Sequence, residues 1–69
     1  MTGEQAAAII GPRTYYGVDV LDALHDVRGH CPDGWQADYT VLGENVPSGA
    51  TVVGRVRGDR VATLYIRPI

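Results

Sequence analysis

The chemistry-bearing residues of this 69-residue chain are few. Cys31 with His25 and His30 is the only grouping of a nucleophile with a base. A thiolate at neutral pH needs a positioned base or a positive charge beside it. His30 is next to Cys31 in sequence, but neighbouring side chains in a loop rarely converge, and no glycine-flanked nucleophile accompanies them. As zinc ligands the same three residues lack a paired motif such as CxxC or HxxxH and remain at least one ligand short, even with Asp33 nearby. Asp22 and Asp26, one helical turn apart, suit a solvated acidic edge better than an acid/base pair. Gly49, Gly54 and Gly58 are scattered and build no phosphate-binding loop. These residues assign no catalytic group, no metal and no cofactor, and the chain does not read as an enzyme.

The second constellation is basic. All six cationic side chains are arginines; residues 1–50 hold two of them against seven acids (−5), while residues 51–69 hold four against one Asp (+3). Arg55, Arg57, Arg60 and Arg67, with Tyr65 among them, form a strip that could meet a protein or lie along a phosphate backbone. The acidic body and a sequence pI of 5.4 oppose nucleic acid. They suit instead a protein partner, or a head-to-tail contact between copies of the chain.

Elements must position that strip. Thr2 and Gln5 fit a capping box opening a short helix from Gly3 to Ile10, which Gly11-Pro12 stops. Arg13–Val18 is β-prone, either a short strand or an ordered connector. Asp19 caps a second helix from Val20 to about Arg28, with Val20, Leu21, Leu24 and Val27 on one stripe and Gly29 as the stop. Trp35 to Leu42 alternates, placing Trp35, Ala37, Tyr39 and Val41 on one face of a half-buried strand. Gly43–Gly49 reads as a polar loop. The last twenty residues form a hairpin around Gly58-Asp59, and a two-residue turn pairs Val56 with Val61, Gly54 with Thr63, and Val52 with Tyr65.

The expected architecture is one α+β domain over residues 1–69. Two short helices pack on one face of a three-stranded, mostly antiparallel sheet that ends in the hairpin. One cysteine makes no internal disulfide, so the apolar 45% of the chain or a partner subunit must hold the fold. No apolar run approaches 18 residues and no basic flank precedes a hydrophobic stretch at the N-terminus, so neither a membrane span nor a secretory signal is expected. A single free thiol points to a reducing, cytoplasmic setting.

Residues 47–61 resemble the binding-loop region of the potato inhibitor I family of serine-protease inhibitors. Pro47, Gly49, Val52, Arg57, Asp59, Arg60 and Val61 match at the family's offsets, and Ile9-Ile10-Gly11 with Thr14 is similar to the lead-in to its single helix. The resemblance implies an α+β wedge presenting an extended loop, about Gly49 to Asp59, to a protease cleft, with Arg60 as its brace. The specificity position would fall on Gly54, the usually acidic position after it on Arg55, and the second bracing arginine on Ala62. The functional expectation is a non-enzymatic binding module acting by protein contact through residues 49–67. Val53, Gly54, Arg55, Arg57, Arg60, Tyr65 and Arg67 are its candidate contacts. The alternative is a small nucleic-acid-binding regulator using the same hairpin.

Overall fold

A computed structural model describes residues 1–41 and 44–69. The elements run α1 (Gly3–Ile10), β1 (Arg13–Tyr16), α2 (Val20–His30), β2 (Trp35–Val41), β3 (Thr51–Arg57) and β4 (Val61–Pro68). The fold is α+β, as expected, but the sheet has four strands in the order β1-β3-β4-β2 and is mixed. The added strand is β1, which pairs parallel to β3 from Arg13 opposite Gly54 to Tyr16 opposite Arg57. The end of the Trp35–Leu42 strand and the start of the Gly43–Gly49 loop, at Leu42 and Gly43, lie outside the described residues.

Local chemistry accounts for the helices. The Thr2 hydroxyl accepts from the Gln5 N–H at 3.2 Å and the Gln5 side-chain oxygen accepts from the Thr2 N–H at 2.8 Å, which satisfies two free donors at the start of α1. Gly11, at φ 83°, ends the helix while its N–H bonds Ala7 O. Asp19 caps α2 through the Leu21 N–H at 2.8 Å. α2 does not stop at Gly29. It continues to His30, whose Nδ1 lies 2.9 Å from the Asp26 carbonyl oxygen, and Pro32 follows two residues later as the residue that cannot extend it.

The core lies between the helices and one sheet face. Leu64, Ile66, Val27 and Val56 are its largest fully buried side chains, joined by Ala6 and Ile10 of α1 and Ala23 and Leu24 of α2. Burying an aliphatic side chain of this size stabilises by roughly 1.5–3 kcal/mol. Trp35, Ala37 and Tyr39 of β2 pack on the same side, as their alternation predicts.

The hairpin differs from its expected register. Arg57 opposes Val61, Val56 opposes Ala62, and Arg55 opposes Thr63, so three residues (58–60) form the turn rather than two. A one-residue slip turns every side chain to the opposite face. A bulge between Val52 and Gly54 then restores the count, and Val52 opposes Tyr65 after all. The bulge has a cause in the sequence. Val53 and Val56 are both core residues, yet their odd spacing would put them on opposite faces of a regular strand. One extra residue brings both inward and leaves Arg55 and Arg57 pointing out.

The extended loop that the inhibitor resemblance implies is accordingly not a loop for most of its length. Residues 51–57 are strand β3, hydrogen-bonded to β1 on one side and β4 on the other. Gly54, at the implied specificity position, is where β1 comes closest. A Cβ there would lie 2.5 Å from the Arg13 carbonyl oxygen, so only glycine admits β1 without a shift.

Gly54→Ala is therefore expected to cost about 1–3 kcal/mol by overpacking. Gly29→Ala, inside α2 with open space around the added carbon, is expected to stabilise by about 0.5–1 kcal/mol through helix propensity. Urea denaturation of both variants measures the contrast. A Gly54→Ala variant as stable as the parent would show that β1 does not depend on that close approach.

Candidate interaction surface

Both helices occupy one face of the sheet, and the opposite face carries the side chains that alternate with the core. Arg55 and Arg57 stand there beside Thr14 and Tyr16, their register partners on β1. Arg55, Arg57, Thr14 and Tyr16 are all exposed, Tyr16 by 72%. Val61, 39% exposed, flanks Arg57 on the β4 side. Arg60 is exposed in the turn, and among the described residues its side chain has no hydrogen-bond partner. Arg67 is exposed on β4 but lies beyond the Val52–Tyr65 pair, at the other end of the strip.

Of the remaining candidates, Val53 and Tyr65 are buried and Gly54 is partly buried. Val53 is 4% exposed and belongs to the core. Gly54 is covered by the β1 backbone. Tyr65 is 5% exposed although it lies on the helix-free side, between Asp38 and Val52. β2 and β3 run parallel on either side of β4 and are joined by the connection that includes residues 44–50. Val46 and Pro47 of that connection are partly buried.

The two edges of the sheet are finished differently. Gly17 N–H donates to Arg57 O at 2.9 Å, which sets the phase of the parallel ladder. Arg13, Tyr15 and Gly17 turn their backbone groups toward β3, and Thr14 and Tyr16 turn theirs away. Those outward groups have no partner among the described residues. At the β2 edge most of the outward groups are occupied, although the Ala37 N–H and the Trp35 and Tyr39 carbonyls have no partner among the described residues. Tyr39 N–H donates to Asp38 Oδ1 at 2.8 Å, Val41 N–H to Glu44 Oε1 at 2.9 Å, and Trp35 N–H to Pro32 O at 3.2 Å. Arg28 Nε donates to Ala37 O at 3.2 Å. An edge sealed by its own side chains resists strand addition, and an unsealed one invites it.

Behind β1 a small polar cluster ties the edge to the helices. Arg13 Nη1 is 3.0 Å from Asp26 Oδ2, the one ion pair among the described residues, and the Tyr15 hydroxyl donates to the same oxygen at 2.5 Å. The Arg13 guanidinium also donates to the Ile10 carbonyl at the end of α1. Asp26 thus ties α2 to β1 while its side chain stays 45% exposed to solvent, and its spacing from Asp22 does not reveal the tie. The Tyr15 hydroxyl and the neighbouring guanidinium hold the Asp26 carboxyl below its ordinary value of 3.8. Burial, followed by the bond to Asp26, raises the Tyr15 phenol above 10.0. Burial also raises the Cys31 thiol, the opposite of what a nucleophile needs. Among the described residues no three of His, Cys, Asp and Glu converge as metal ligands, and no helix is long and apolar enough to cross a membrane. No protein-family model, curated protein or solved structure matches this chain.

The Asp26–Tyr15 pair gives stability a defined pH dependence. Asp26 has a lowered folded-state value, so its contribution is present above about pH 3.8 and is lost as pH falls through that lowered value. Tyr15 has a raised one, so its contribution is present below about pH 10 and is lost as pH rises through it. Tyr15→Phe should shrink the alkaline loss, leaving the part due to the raised Cys31 thiol, and shrink the acidic one as well. Urea denaturation across pH reads both changes, and an unchanged alkaline limb in the variant would place the effect elsewhere.

Proposed function

We propose that the chain is a non-enzymatic binding module that acts by protein–protein contact through the 49–67 region. Arg55 and Arg57 are its principal contacts and Arg60 extends them at the turn. One observation carries this reading: Arg55 and Arg57 are exposed, share a face, have no acidic partner among the described residues, and border the exposed Tyr16. Arginine beside an aromatic ring is a composition favoured at protein interfaces. Val53, Gly54 and Tyr65 serve by holding β3 in register rather than by touching the partner. Residues 51–57 would have to leave the sheet to enter a protease cleft, so the contact uses the face of β3 and not an inserted loop.

The nucleic-acid reading draws on the same arginines. Against it stand the seven acids of residues 1–50 and the distance of Arg67 from the other three cations along the strip. Three clustered cations would support only non-specific affinity, with dissociation constants of roughly 10⁻⁴ to 10⁻⁶ M at physiological salt.

Amide shifts of the isotopically labelled chain separate the two readings, with poly-L-glutamate and a 12-base-pair duplex as titrants. Polyglutamate is expected to move Arg55, Arg57, Arg60 and their β1 neighbours, and the Arg55→Glu/Arg57→Glu double variant to abolish those shifts. Submicromolar duplex binding at 150 mM salt, with each Arg→Ala lowering the salt slope by about one, would overturn the protein-contact reading in favour of nucleic acid.

A further inference from the structure

We propose that the partner contributes an extended, acidic segment that adds to the sheet as a fifth strand along the outer edge of β1. This rests on the protein-contact reading above and specifies its geometry.

Three observations converge. First, all the outward backbone groups of Thr14 and Tyr16 lack a partner among the described residues, while most of those of β2 are occupied by Asp38, Glu44, Arg28 and Pro32. The chain covers much of one edge and leaves the other open, and main-chain pairing to an open edge supplies affinity in strand addition. Second, the charge fits one kind of strand. A strand added outside β1 on the helix-free side would set its side chains next to Thr14 and Tyr16, with Arg55 and Arg57 directly behind. Strands are about 4.8 Å apart, so Arg55, one strand back, reaches over the small Thr14, while Arg57 stands behind the larger Tyr16 and reaches past its ring. Carboxylates at alternate positions of the added strand would meet the Arg55 guanidinium first and the Arg57 guanidinium beside Tyr16. Third, the other cation at this edge is already satisfied. Arg13 points to the helix side, where Asp26 and the Ile10 carbonyl hold it. The uncompensated positive charge therefore lies on one face only, which fixes the phase of the added strand: acidic residues toward Arg55 and Arg57, small or neutral residues toward Tyr15.

A second copy of this chain fits the edge less well. Antiparallel pairing of β1 with its own copy would oppose Thr14 to Tyr16 and engage only the four residues of each strand. It would also leave Arg55 and Arg57 without an acid on either side.

The test uses two blocked octapeptides, one alternating Glu and Thr and one alternating Lys and Thr, added to the labelled full chain. The Glu–Thr peptide should slow hydrogen exchange of the Thr14 and Tyr16 amides by tenfold or more at saturation and shift Arg55 and Arg57, and the Lys–Thr peptide should do neither. Thr14→Pro removes an outward donor without touching the β1–β3 ladder and should weaken the Glu–Thr peptide at least tenfold. The Arg55→Glu/Arg57→Glu variant, which leaves the backbone edge intact, should prefer the Lys–Thr peptide. Unchanged Thr14 and Tyr16 exchange with Arg55 and Arg57 still shifting would overturn strand addition while the protein-contact reading stands. Silence toward both peptides together with submicromolar duplex binding would overturn both.

Discussion

The close approach of β1 to β3 at Gly54 is the constraint on which the rest of this small sheet depends. With no side chain at Gly54, the Arg13 carbonyl oxygen can sit 2.5 Å from where a Cβ would be. That contact starts a four-residue parallel ladder and turns the antiparallel three-stranded array β3-β4-β2 into a mixed four-stranded sheet. Once β1 is in place, Arg13 reaches both the end of α1 and Asp26 of α2, and Tyr15 joins the same carboxylate. One glycine thus allows the strand whose side chains tie the two helices together. The bulge beside it, at Val53, lets two valines of odd spacing share the core, and so sends Arg55 and Arg57 to the far side.

The proposed function rests on what this arrangement leaves uncovered. The helices shield one face, and on the other Tyr65 is buried. The remaining exposed strip, Thr14, Tyr16, Arg55 and Arg57, combines positive charge, an aromatic ring and an unsealed strand edge. Much of the opposite edge is occupied by hydrogen bonds from side chains and a turn carbonyl. Small proteins ordinarily blunt both edges against association, and here one is left open beside Arg55 and Arg57, which have no acidic partner among the described residues.

Much of this was legible in the residues. The Thr2–Gln5 capping box, the Asp19 cap and the alternation from Trp35 to Val41 rest on short-range chemistry that a sequence carries on its face. The four-stranded count was not legible, because nothing local to Arg13–Tyr16 names a partner some forty residues away. The hairpin register turned on a competition that turn chemistry alone does not decide. Gly58-Asp59 favours a two-residue turn, whereas burial of Val56, Ala62 and Leu64 on one face requires three. The odd spacing of Val53 and Val56 was the available signal for the bulge. Of the seven candidate contacts, the four arginines are on the surface, and Val53, Gly54 and Tyr65 went into packing. Val53 is drawn in by the bulge, Gly54 is approached by β1, and Tyr65 lies buried between β2 and β3, all of which are tertiary features. The inhibitor-like spacing of residues 47–61 marks a strand, turn and strand in this chain, with β3 where the resemblance implies a loop.

The difference between the two sheet edges is the claim most open to direct measurement. Native-state hydrogen exchange on the dilute, unliganded chain reads it residue by residue. The account predicts that Tyr15, facing β3, is protected, that Tyr39 and Val41 are slowed by their side-chain acceptors, and that Thr14 and Tyr16 exchange fastest of these five. Thr14 and Tyr16 amides as protected as Tyr15 would mean that the β1 edge is already covered, and would contradict the account.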